Sequence, residues 1–238
     1  MPAGGTSIGE FPEEGRHADR EGTKLTRRVY CGMYPGERFN GYTHLAGTLL
    51  AAAGAATLIT LAASTGGAAR IASLAVYGAA LFLLYLVSTI YHSLRGRAKD
   101  VFRKLDHIAI YLMIAGTYTP FALVTLRGGW GWTMFGAIWG LAAVGIVQEL
   151  CFARGARVLS LAIYVLMGWL ALFALVPLFR ALSWNGMSWV VGGGLIYTAG
   201  IVFYMFDERF RHWHGIWHLF VLAGSAVHFT AMVLFVAR

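Results

Sequence analysis

His214 and His218 stand four residues apart at the start of a long apolar segment. On a helix that spacing stacks both imidazoles on one face, about 5 to 6 Å apart between Cβ atoms, which suits two bonds to one metal ion. Ser88 and His92 repeat the spacing at the end of another apolar segment, and Asp106 opens a third. If those three segment ends lie at one depth, three imidazoles, a carboxylate and a hydroxyl meet there. Ionisable groups are costly inside a membrane and face the bundle interior or a wet cavity, so they are functional candidates by default. The competing reading is that they hydrogen-bond to one another or rest at the interface, and spacing alone leaves the two open.

The elements that must position these residues follow from composition. The chain has 238 residues, 58% hydrophobic and 13% charged, against a charged share of about 25% in soluble globular domains. It reads as an all-α integral membrane protein. Residues 1–41 differ, being rich in Gly, Pro, Glu, Arg and Thr; they read as a disordered cytoplasmic tail, with a short amphipathic helix expected near residues 25–34. A spanning helix needs about 20 mainly apolar residues. Seven such segments are expected, near 42–64, 71–94, 105–126, 130–151, 157–179, 187–206 and 214–236, making residues 42–238 a seven-helix transmembrane domain. Small residues such as Ala51, Ala52, Ala53, Gly192, Gly193 and Gly194 are the usual device for close helix approach in lipid. Pro120 is expected to kink the third segment, with Thr117 and Thr119 serving the backbone groups it frees.

Charge sets the expected orientation. With seven crossings, 15 of the 19 Lys and Arg fall on the side of the N-terminus, leaving only Arg70, Arg127, Arg180 and Arg238 opposite. Basic residues concentrate in cytoplasmic links, so the N-terminus is expected inside and the C-terminus outside. The net charge of +8 then suits anionic lipid headgroups at the cytoplasmic face rather than nucleic acid. A multi-pass protein of the plasma, or inner, membrane is the expected localisation. Cys31 and Cys151 both fall on the cytoplasmic side, so no disulfide is expected.

The run Ser88-Thr-Ile-Tyr-His92, the stretch Asp106-His107 on to Thr119-Pro120, and His214-Gly-Ile-Trp-His218 continuing to His228 together resemble the hemolysin III branch of the progestin and adipoQ receptor family. Glu37, Asn40 and His44 match that family's pattern ahead of the first span. A wider superfamily that includes alkaline ceramidases is similar in its Ser, Asp and three-His set. The resemblance implies a seven-helix bundle with zinc near the cytoplasmic face, His92, His214 and His218 as its ligands, Asp106 holding the water at the metal, and Ser88 beside the site. His44, His107 and His228 are not ligands in that scheme. His228 lies about 15 Å beyond His218 on a helix and is expected to be a satisfied bundle histidine. Glu37 and Asn40 are expected to pair with basic link residues or to cap the first helix.

Three neutral imidazoles with an open fourth position are the arrangement of catalytic zinc, which brings the pKa of its water to about 7. Asp106 as base and Ser88 as oxyanion donor would then hydrolyse a lipid amide or ester, with an acyl lipid or a ceramide-like molecule as substrate. Two other readings stand beside it: a non-catalytic lipid sensor with structural zinc, and a pore or lytic protein, although no span carries the polar stripe of an aqueous channel. A retinal protein is excluded, because all three lysines, Lys24, Lys99 and Lys104, lie in the tail or just before the third span. The basic-residue asymmetry makes a direct prediction: a topology reporter fused after Arg238 reads as extracytoplasmic and one inserted at Arg97 as cytoplasmic. The opposite pattern would move the proposed metal site to the other face.

Overall fold

The computed structural model describes residues 33, 36–152 and 157–238, within a compact unit spanning Gly32–Arg238. The tail helix expected near residues 25–34, and Cys31, fall almost entirely outside the described residues. The described chain is all helical: α1 (Arg38–Thr65), α2 (Ala68–Ser93), α3 (Gly96–Pro120), a wider π-turn stretch (Phe121–Leu126), α4 (Gly128–Phe152), α5 (Arg157–Gly168), a 3-10 stretch (Leu170–Ala174), α6 (Leu175–Met205) and α7 (Trp213–Phe235). Among the described residues, six helical stretches are long and apolar enough to cross a membrane. Their outward faces carry large apolar side chains, including Leu49, Leu50, Val144, Phe152 and Phe173, each at least 60% exposed. No soluble domain presents so much apolar surface, and a bilayer is the solvent that removes its cost.

α2 and α3 are the most enclosed, with 50% and 56% of their apolar windows buried. Small residues bring them together: a Cβ added at Gly78 would stand 2.7 Å from Ala55 in α1, and one at Gly116 would stand 2.7 Å from Ala80 in α2. Of the small residues expected at interfaces, Ala51 is buried, Gly193 abuts His228 and Gly194 faces Trp169 at 4.0 Å, whereas nothing approaches Gly192. Ala52 and Ala53 face outward. The chain turns between α1 and α2 through Gly66 and Gly67, at φ 86° and 100°, values that favour glycine.

Two expectations need correction. α1 starts at Arg38 and α3 at Gly96, not near 42 and 105, because helices run on past the hydrocarbon through charged turns that an apolar window does not register. Pro120 ends α3 and passes the chain into the π-turn stretch, but the two threonines do not serve the carbonyl of Gly116 that proline deprives of its helical donor. Thr117 and Thr119 donate instead to the carbonyls of Met113 (2.8 Å) and Ala115 (2.9 Å), and Thr119 also accepts from the Trp139 indole of α4 at 3.1 Å.

Arg157–Met205 is a single apolar stretch of 49 residues, in which two segments near 157–179 and 187–206 are expected. As one straight helix it would run about 73 Å, more than twice the hydrocarbon thickness of about 30 Å. Instead it doubles back. Arg157, at its start, bonds the Tyr204 carbonyl and pairs with Asp207 at 2.6 Å, while the Trp169 indole donates to Thr198 at 3.2 Å. The reversal lies at Ser183, whose φ of 53° and ψ of −174° interrupt α6. The two arms therefore run antiparallel and bring the start of α5 beside the α6–α7 link, where the site is built.

Candidate metal centre

His92 occupies the last turn of α2, which ends at Ser93 when Leu94 turns extended. His214 and His218 occupy the first two turns of α7. One ring nitrogen from each of the three lies within 4.8 Å of the other two, and their ring centroids are 4.7 to 5.2 Å apart. His92 and His218 are buried and His214 is partly so. Such a group could hold a metal ion.

Hydrogen bonds decide which nitrogens face one another. His92 Nδ1 donates to Glu37 Oε2 at 2.7 Å, and His214 Nδ1 donates to Asp207 Oδ2 at 2.6 Å. His218 Nδ1 donates to the Asn40 carbonyl at 3.1 Å, with Thr43 Oγ1 at 3.3 Å. A carboxylate or carbonyl oxygen only accepts, so each Nδ1 carries a proton, and a ring in its neutral form then has its lone pair on Nε2. The Nε2 atoms of His92 and His214 are buried and have no hydrogen-bond partner among the described residues. That is the outer arrangement found around metal-binding histidines, in which the bond on one nitrogen fixes the tautomer and aims the other.

These orienting groups are themselves held. Lys99, in the first turn of α3, donates to Glu37 at 2.6 Å, as does the Asn40 amide at 2.9 Å. Burial alone would raise the Glu37 carboxyl, but the hydrogen bonds from His92, Lys99 and Asn40 outweigh it and hold Glu37 well below the usual carboxylate range. At Asp207, likewise, the bonds from His214 and Arg157 overcome the effect of burial and lower the pKa. Both carboxylates stay ionised and accepting.

Ser88 and Asp106, expected beside the site, line a cavity of about 190 Å³ together with His44, His214 and His218. The Ser88 hydroxyl is buried and interacts with the Asp106 carboxyl. Asp106 stands outside the group of three mutually close nitrogens. The rest of the wall is largely apolar, with Met113, Ile114, Trp169 and Val221 among its residues. His107 pairs instead with Glu149 of α4 at 3.0 Å. His228 Nε2 donates to the Val190 carbonyl at 3.0 Å, which satisfies one of its two nitrogens, and Nδ1 has no partner among the described residues.

Sequence reasoning singled out Glu37 for pairing with basic link residues, and it does pair with Lys99. Its side chain does not cap α1. Its contact with His92, and the whole Arg157–Asp207–His214 relay, were missed. Nothing local signals them, because Glu37 and His92 are 55 positions apart and Arg157 and Asp207 are 50 apart.

Residues 33–229 match the family model described as Haemolysin-III related. The chain belongs to the haemolysin III-related family. It is similar to "Hemolysin-3" of Bacillus cereus, at 43% identity over 83% of this chain and 90% of the relative. The "Hemolysin-3 homolog" of Bacillus subtilis (strain 168) is 41% identical over 84% of this chain and 93% of its own length. The human "Monocyte to macrophage differentiation factor" is 30% identical over 68% of this chain and 70% of its own. These matches place the chain in the hemolysin III branch of the progestin and adipoQ receptor family, and it is a multi-pass membrane protein.

For this haemolysin III-related chain the geometry predicts a graded loss of bound metal, measured by metal analysis and competition with a chelator. His214→Ala and His218→Ala lose most of the metal, while Glu37→Gln and Asp207→Asn weaken it by about 10- to 100-fold through lost orientation. His228→Ala leaves it unchanged. A double variant of His214 and His218 that binds metal like the wild type would rule out the centre.

Proposed function

We propose that this protein is a zinc-dependent hydrolase of a lipid amide or ester, acting near the cytoplasmic face of the plasma membrane. The observation that carries the reading is the three-imidazole cluster, with every Nδ1 engaged and the Nε2 atoms turned toward one another beside a largely apolar cavity. Three neutral nitrogens and an open position are the donor set of catalytic zinc rather than of a closed structural site. Zinc there would supply Lewis acidity and bring the pKa of a water toward about 7.

The remaining chemistry belongs to the chain's own residues. The Asp106 carboxylate takes the proton of the attacking water as the new bond to the acyl carbon forms. When the C–N or C–O bond breaks, the same carboxyl returns a proton to the leaving amine or alkoxide. The Ser88 hydroxyl donates to the oxygen that gains charge at the acyl carbon. The apolar cavity wall takes the acyl chain, so an acyl lipid or a ceramide-like molecule is the substrate class.

The membrane placement that accompanies this reading has seven crossings, a cytoplasmic tail before α1 and an outside C-terminus. It is supported by the reversal of Arg157–Met205 at Ser183 and by the concentration of basic residues on one side. A rice relative, 29% identical over 57% of this chain, is named "Heptahelical transmembrane protein ADIPOR2", in accord with that count. Arg97, Lys99, Arg103 and Lys104 then flank the cavity's cytoplasmic end, where anionic headgroups gather. A lytic role is the second reading, favoured by the name of the Bacillus cereus relative.

Asp106→Asn separates ligation from chemistry. Incubated with a panel of ceramides and acyl lipids, the variant retains zinc while product formation falls by about 10²-fold or more; Ser88→Ala loses less. If Asp106→Asn strips zinc as fully as His218→Ala, Asp106 is a ligand and the site is closed and structural. Zinc-loaded wild-type protein that binds panel lipids without turnover would replace the hydrolase with a sensor.

A further inference from the structure

His44 has no assigned part in the metal cluster or in the proton transfers. It sits in the second turn of α1, only 4% exposed, and its ring lies flat on that of His218, with centroids 3.6 Å apart and planes 12° apart. Tyr85 meets it edge-on at 5.0 Å. Neither ring nitrogen has a hydrogen-bond partner among the described residues.

The polar neighbours are committed elsewhere. Tyr85 donates to Ser225 at 2.7 Å. Thr48 donates to the His44 backbone carbonyl at 2.9 Å, and Thr89 donates to the Tyr85 carbonyl at 2.7 Å. A neutral imidazole carries one N–H and one lone pair, and leaving both unpaired in a low-dielectric interior is costly. Stacking on His218 does not require nitrogen, because a phenyl ring would pack there as well. The nitrogens therefore call for a partner that the described residues do not provide. His44 forms part of the cavity wall with Ser88, Asp106 and His214.

We propose that His44 contacts the substrate, its ring N–H donating to the carbonyl oxygen of the acyl group seated beside the three-nitrogen cluster. This rests on the hydrolase reading and adds a second donor to it. Two donors on one oxygen hold an amide, ester or carboxylate in one orientation, and the second strengthens as charge builds on that oxygen. An acyl ligand is thereby preferred to a hydrocarbon of equal length.

The test uses protein loaded with cobalt(II) in place of zinc, with octanoate as a carboxylate probe followed through the visible absorption of the metal. His44→Phe keeps the stack and retains one cobalt per chain with an unchanged thermal midpoint, but binds octanoate about 10-fold more weakly. His44→Gln, which keeps an N–H, recovers most of that affinity. If the phenyl ring disrupts packing, His44→Met gives the same comparison. Octanoate affinity unchanged in His44→Phe would overturn the proposal, as would loss of cobalt from a folded His44→Gln, which would make His44 part of the metal support. A wild-type protein that takes up no cobalt would remove the hydrolase reading itself, and this proposal with it.

Discussion

Every feature of the site depends on what the three Nδ1 atoms bond to. At a membrane-embedded helix end there is no bulk water to serve a ring nitrogen, so a histidine is held by whatever acceptor the fold supplies. Here the acceptors are Glu37, Asp207 and the Asn40 carbonyl. They come from segments outside the helices that carry the ligands, apart from the short link before α7. Those bonds orient each ring through its Nδ1, and one nitrogen from each ring lies within 4.8 Å of the other two.

That constraint explains why the first turns of α1 matter more than their position ahead of a span suggests. Glu37, Asn40 and Thr43 between them hold His92 and His218, so α1 acts as the clamp joining the end of α2 to the start of α7. The second clamp is made by the chain's reversal at Ser183, which returns α6 to the start of α5 and lets Arg157 fix Asp207 against His214. Small residues at Gly78 and Gly116 draw α2 between α1 and α3, setting Ser88 and Asp106 at the same cavity. Packing in the apolar interior and ion pairing at the polar end are thus one arrangement, since a shift of any of these helices would break a nitrogen–acceptor contact of under 3.2 Å.

Much of this was legible from residue spacing. The four-residue steps from His214 to His218 and from Ser88 to His92 state which faces point inward, and the basic links state which ends share a side. The resemblance to a known family then united residues that spacing leaves separate. What could not be read were the partners: Glu37 reaches His92 across 55 positions, and long-range ion pairs leave no periodic trace. The start of α3 was hidden because its first turns are charged, and apolarity marks the bilayer rather than the helix. The fifth and sixth segments were separable in the sequence only through Arg180 and the polar residues near Asn185, since hydropathy runs high throughout Arg157–Met205. His44 looked unremarkable for a related reason: a buried histidine declares its role through the absence of a partner, which only coordinates reveal.

The central claim is that three imidazoles, aimed by their Nδ1 bonds, hold one metal and leave a position open. X-ray absorption at the zinc K-edge on the purified, zinc-loaded protein tests it directly. The expected result is one zinc per chain with three imidazole nitrogens at about 2.0–2.1 Å and one further light-atom ligand, without sulfur. A spectrum that requires sulfur scattering, or that fits fewer than two imidazoles, would contradict it.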